Sequence, residues 1–127
     1  MPERNTLRYT VITSTPDGGS AFTDAEIPLA DRTLAAGVPA MAVGPVPSIP
    51  GVSYLRSGGF DSAPHPAPTR QWVVMLRGAI EVTTTDGERR RFAPGDLVLA
   101  ADTEGLGHTT VAVGAPPFEA LFIPTPS

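Results

Sequence analysis

The sequence predicts an all-β domain, a sandwich or barrel of short strands, on three observations. Thirteen glycines and fifteen prolines are scattered through 127 residues, a punctuation that leaves little room for long helices. Between them lie nine short segments of strand length, 8–14, 21–28, 52–57, 70–77, 79–85, 89–92, 96–100, 108–113 and 118–124, which suit a two-sheet or closed architecture. Hydrophobic residues make up 41% and charged residues 17%, enough apolar material for one core in a chain of this length.

Taken in order, 8–14 and 21–28 come first, and a short helical turn is expected at 29–36, ended by Gly37 and Pro39. Residues 37–51 carry Pro39, Pro45, Pro47 and Pro50, so they cannot form a central strand. The residues before them are too few for a second core, and the stretch reads as a long connection wrapped over the barrel. One domain is expected over residues 1–127, with 1–51 as N-terminal strands and wrapping segment and 52–124 as the barrel core. In 52–57, Tyr54 and Arg56 share a face. If it is the inner one, Arg56 can clamp a carboxylate or phenolate; if not, it is an exposed arginine.

Segment 70–77 places Gln71, Val73 and Met75 on one face and Trp72, Val74 and Leu76 on the other. Both faces are largely apolar, so one lines the barrel and the other packs on a second sheet or a partner subunit; a homodimer is expected. Segments 79–85 and 89–92 form a hairpin in which Asp86-Gly87 supplies the positive φ angles of a tight turn. Arg89, Arg90 and Arg91 then alternate faces on a solvated edge strand. His108 shares a face with Thr110, and Phe118 with Ala120 and Phe122.

Composition excludes several classes of function. There is no cysteine, hence no disulfide and no thiolate metal site. All nine basic residues are arginine, so Schiff-base chemistry has no lysine to use. This bias, with abundant Ala, Gly and Pro, matches a GC-rich bacterial genome. A net charge of −4 and a pI near 5.0 offer nucleic acid no basic face, and no DNA-binding segment is seen. No apolar run approaches a membrane span, and the N-terminus lacks a secretory apolar core. A cytoplasmic protein is expected, with no membrane partner.

The chain has two histidines, His65 and His108, and one glutamine, Gln71. The stretch His65-Pro-Ala-Pro-Thr-Arg-Gln71, followed by Gly78, resembles the first motif of the cupin superfamily. Phe92-Ala-Pro-Gly-Asp96, followed by Gly105-Leu-Gly-His108, is similar to the second. The resemblance covers residues 52–124 and implies a double-stranded β-helix, the jelly-roll barrel of a small single-domain bacterial cupin. Departures fall on the metal ligands: Ala67 stands at the family's second His, Gln71 at its Glu, and Thr103 where a proline is common.

Three functions stay open at this point. The first is an enzyme without a tightly held metal, of isomerase, lyase or cyclase type, in which His65 and His108 do acid/base chemistry on a small carbonyl or aromatic compound. Gln71, Val73, Met75, Tyr54 and Arg56 are then the candidate substrate contacts, and Gln71 donates to a developing oxyanion. The second is a metal-dependent oxygenase in which His65, Gln71 and His108 hold Zn, Fe or Mn weakly, with Asp102 or Glu104 as a replacement carboxylate. The third is a small-molecule binder without catalysis. Pro64, Pro66 and Pro68 hold His65 on a stiff, extended segment. Glu104, Gly105 and Gly107 form either a mobile lid or a plain loop.

Overall fold

Every one of the nine expected segments becomes a strand in the structure, a computed structural model that describes residues 6–33, 36–37, 39–57, 63–114 and 117–126. The strands are β1 (Thr6–Ser14), β2 (Ser20–Pro28), β3 (Ala30–Arg32), β4 (Met41–Val43), β5 (Ser53–Ser57), β6 (Gln71–Arg77), β7 (Ala79–Thr83), β8 (Arg89–Phe92), β9 (Leu97–Ala100), β10 (Thr109–Val113) and β11 (Phe118–Pro124). No helix forms among the described residues.

A six-stranded sheet has the order β2-β1-β9-β6-β11-β5, and a three-stranded sheet the order β10-β7-β8. The second sheet is extended by an antiparallel bridge between His65 and His108, which puts the His65 segment beside the start of β10. From β5 onward the chain changes sheet at nearly every connection, and only the β7–β8 hairpin stays within one. The resulting four-strand sets, β5-β11-β6-β9 and His65 segment-β10-β7-β8, make the jelly roll that the motif resemblance implies. β1 joins this barrel through a parallel pairing with β9, so the N-terminal strands extend the chain's own sheet.

Two motif residues are explained by these crossings. Gly78 stands between β6 and β7 with φ +74°, and a Cβ there would lie 2.9 Å from the Phe118 Cα. At the β8–β9 crossing, the Asp96 N–H donates to the Ala93 carbonyl at 2.9 Å and the Ala93 N–H to the Asp96 carboxylate at 2.8 Å, around Gly95 at φ +99°. A side chain is strained at both backbone angles.

Three local expectations are corrected. The helical turn expected at 29–36 is replaced over its first part by β3, which pairs with β4 in a two-stranded ribbon; positions 34 and 35 lie outside the described residues. Local propensity loses here to pairing with a segment nine to thirteen positions away. In the β7–β8 turn, positive φ occurs at Gly87 alone. The Thr84 N–H donates to Glu88 O and the Gly87 N–H to Thr84 O, both at 3.0 Å, giving a three-residue loop with a glycine bulge in place of a two-residue turn. Asp86 keeps a negative φ because its carboxylate accepts from the Thr84 hydroxyl and the Glu88 N–H.

The third concerns the outer face of β6. Trp72 is covered by the chain's own proline-rich segment, and its indole N–H donates to Pro47 O at 2.7 Å. With Ile27 and Leu99 it forms a small outer cluster, and Tyr9 meets its ring edge-on at 4.9 Å. The inner cluster, between the sheets, includes Ile12, Phe22, Met75, Ile80, Phe92 and Val98. On the edge strand β8, Arg89 and Arg91 are exposed. Arg90 lies over the Phe22 ring and pairs with Glu88 and Asp24.

Candidate functional site

The barrel interior encloses a cavity of about 400 Å³, within the range of small-molecule sites. Its wall is mainly apolar: Val73 from β6, Ile80 and Val82 from β7, Val98 and Ala100 from β9, Phe118 and Phe122 from β11. The polar groups on it are His65, Gln71, His108, Ser57 and Thr110. Two distant imidazoles and the one glutamine therefore converge on one interior space, because β6 and the bridged His65 and His108 positions, the latter just before β10, all turn the relevant side chain inward.

Backbone pairing holds the two histidines together. The His65 N–H donates to His108 O and the His108 N–H to His65 O, both at 3.1 Å. The rings lie 6.1 Å apart at an angle of 44°, too far for a direct bond. The gap leaves room for a substrate group between the two rings. The bridge depends on Gly107: at φ +76°, a Cβ there would meet the His65 carbonyl carbon and oxygen at 2.1 and 2.0 Å.

His108 is buried and His65 exposed. Asp102, with no solvent exposure, places Oδ2 2.5 Å from His108 Nδ1. Its other oxygen, Oδ1, is buried without a hydrogen-bond partner. The Asp102 backbone carbonyl accepts from the Ala67 N–H at 3.0 Å. The Asp102–His108 contact fixes the imidazole's orientation and leaves Nε2 as the ring's acceptor. His65 Nδ1 lies 3.2 Å from its neighbour's carbonyl, Pro66 O.

Asp102 appeared in the sequence only as a replacement ligand, and its part as the partner of His108 was missed. A carboxylate six positions before a histidine carries no periodic signal; only the folded 101–107 loop closes the gap. That loop is tied down at several points, which removes the mobile-lid reading. Leu106 N–H donates to Gly18 O at 2.9 Å, the Ser14 hydroxyl to Glu104 O at 3.1 Å, and the buried Ser20 hydroxyl to Gly107 O at 2.7 Å.

Three expected substrate contacts lie elsewhere. Tyr54 and Arg56 are on the outer face of β5, where Arg56 Nε donates to the Tyr54 hydroxyl at 3.1 Å and that hydroxyl to Glu119 at 2.9 Å. The alternation of the strand turns Leu55 and Ser57 inward in their place. Met75 shares its face with Gln71 and Val73 but is packed into the core at 3% exposure and is not part of the cavity wall.

A divalent metal finds a poor donor set here. Among the described residues no group of three His, Cys, Asp or Glu side chains is placed to hold an ion. His65, Gln71 and His108 supply two imidazoles and a neutral amide, without the carboxylate that would offset the ion's charge. Asp102 cannot join them, because it occupies Nδ1 while an ion on Nε2 would sit across the ring. Glu104 is exposed.

No family model matches the chain, and no curated protein is significantly similar to it. Among solved structures, the chain is similar to the Cupin_2 domain of an XRE family transcriptional regulator from Enterobacter cloacae, with 18% identity over 97% of this chain and 99% of that one and a TM-score of 0.37. The assignment of the fold rests on the strand order and on the positions of Gly78, the Pro94-Gly95-Asp96 turn and the two histidines.

Proposed function

Taking the chain as a jelly-roll barrel of the cupin type, we propose that it is an enzyme that moves a proton on a small carbonyl-bearing or aromatic compound inside the barrel. The buried Asp102 carboxylate against Nδ1 of His108, whose ring borders the cavity, is the observation that carries this reading.

In this mechanism His108 is the base. Asp102 holds Nδ1 and offsets the positive charge that forms when Nε2 takes a proton from the carbon beside the carbonyl. His65 sits at the cavity mouth with access to solvent. In its protonated form it delivers a proton from Nε2 to the carbonyl oxygen, giving the enol, and is recharged from water. Gln71 is 6% exposed and borders the cavity, where its amide N–H groups can donate to the substrate oxygen as charge builds. Reprotonation at another position, loss of a leaving group or ring closure then gives an isomerase, lyase or cyclase outcome.

The test is deuterium uptake in D₂O at the α-carbon of small aryl ketones, followed by proton NMR. The wild type is expected to accelerate exchange over buffer. His65→Ala, His108→Ala and Asp102→Asn are each expected to cut that rate by roughly 10²–10⁴-fold. Exchange unchanged in all three variants would remove the catalytic assignment, and exchange at the buffer rate with the ketone bound would make the protein a binder.

The reading also includes a cytoplasmic homodimer without a nucleic-acid partner. Support for self-association comes from Val46, Ile49, Val52, Tyr54 and Leu76, each at least 41% exposed, on and around the edge strand β5. Light scattering that finds only monomer at micromolar concentration would remove that part. No described helix is long and apolar enough to cross a membrane.

A further inference from the structure

We infer that the ligand of this cavity is uncharged, an apolar ring system bearing a single neutral oxygen function, so that carboxylates and phosphates are rejected. The inference rests on the placement of the reaction inside the barrel, and it adds the electrostatic class of the substrate.

The charge inventory of the wall carries it. Among the described residues no arginine borders the cavity, and the chain has no lysine. Arg56, the one cation the sequence offered for this role, is on the outside with Tyr54. No carboxylate among the described residues borders the cavity either; the fully buried Asp102 stands behind His108. A bound anion would thus give up its hydration with no arginine or lysine on the described wall to receive it, and would face the field of a buried Asp. Desolvating an unpaired charge costs far more than desolvating a carbonyl that finds a donor. A carbonyl finds one in Gln71, and the ring body meets Val73, Val82, Val98, Phe118 and Phe122.

Two isosteric probes test this: 2-acetylnaphthalene, which is neutral, and 2-naphthoate, in which a carboxylate replaces the acetyl group. Binding is measured by calorimetry at pH 8, and the two histidine ring signals are followed by NMR on the same samples. The ketone is expected to bind at least about tenfold more tightly than the carboxylate and to shift both His65 and His108 signals. Equal or tighter binding of the carboxylate overturns the inference. So does failure of the ketone to bind, or ketone binding that leaves both ring signals unmoved. Ketone binding without deuterium exchange leaves the ligand class standing and removes only the catalytic reading, so the two failures are distinguishable.

Discussion

Replacing Gly107 by alanine separates the cost of a backbone angle from the cost of a collision. At φ +76° an L side chain is strained by about 1–2 kcal/mol. The added methyl would also stand 2.0 Å from the His65 carbonyl oxygen. That neighbour is backbone and cannot rotate away, so the bridge itself must open, at a further overpacking cost of about 1–3 kcal/mol. Gly87 provides the control, because at φ +89° it has no atom within 4 Å of its would-be Cβ. Gly87→Ala therefore isolates the angular cost. With about 3–4 °C of melting temperature per kcal/mol at this chain length, Gly107→Ala should melt roughly 3–12 °C below Gly87→Ala. Thermal unfolding followed by circular dichroism measures the gap, and the histidine ring signals should move in the Gly107 variant alone. Equal melting temperatures, or rings undisturbed in the Gly107 variant, would refute the claim that this glycine sets the spacing of the two imidazoles.

Three further outcomes are expected. Ser20→Ala should lower stability by about 1–3 kcal/mol in urea titrations, since the 1%-exposed hydroxyl donates to Gly107 O and accepts from the Thr85 N–H. Trp72→Phe keeps the ring packing but removes the donor to Pro47 O, at about 1 kcal/mol; faster exchange of the Val46, Ser48 and Ile49 amides with the barrel strands unchanged is the expected signature. The exposed carboxylates of Asp86 and Asp17 are held below their ordinary value of 3.8, chiefly by the Thr84 and Thr15 hydroxyls. Their contribution is complete above pH 3.8 and fades as the pH falls through the lower folded values. Asp86→Asn should therefore flatten the acid limb of the stability curve below pH 3.8 and leave its shape near neutrality unaltered.

The legible part of this protein is what depends on residues near one another in the chain. Alternation fixes which face of 70–77 carries Gln71 and Val73, and both border the cavity. Gly78 and Pro94-Gly95-Asp96 mark the two crossings because only particular backbone angles turn the chain there. The proline-rich stretch forbids a central strand for the same local reason, and its Pro45 and Pro47 stand beside Trp72 on the outer sheet face.

What the tertiary structure decided is which side of each strand faces in, and who meets whom across the barrel. The alternation of 52–57 is equally consistent with Arg56 inside or outside; pairing with β11 settled it outward, beside Glu119. Met75 obeys the same alternation as Val73, yet it is packed in the core rather than on the cavity wall. Asp102 meets His108 within a loop that Ser14, Gly18 and Ser20 hold against the β1–β2 hairpin. Strand periodicity is a local property, readable from spacing, whereas the pairing of a buried carboxylate with an imidazole is a consequence of closure, and the sequence carries no repeat that encodes it.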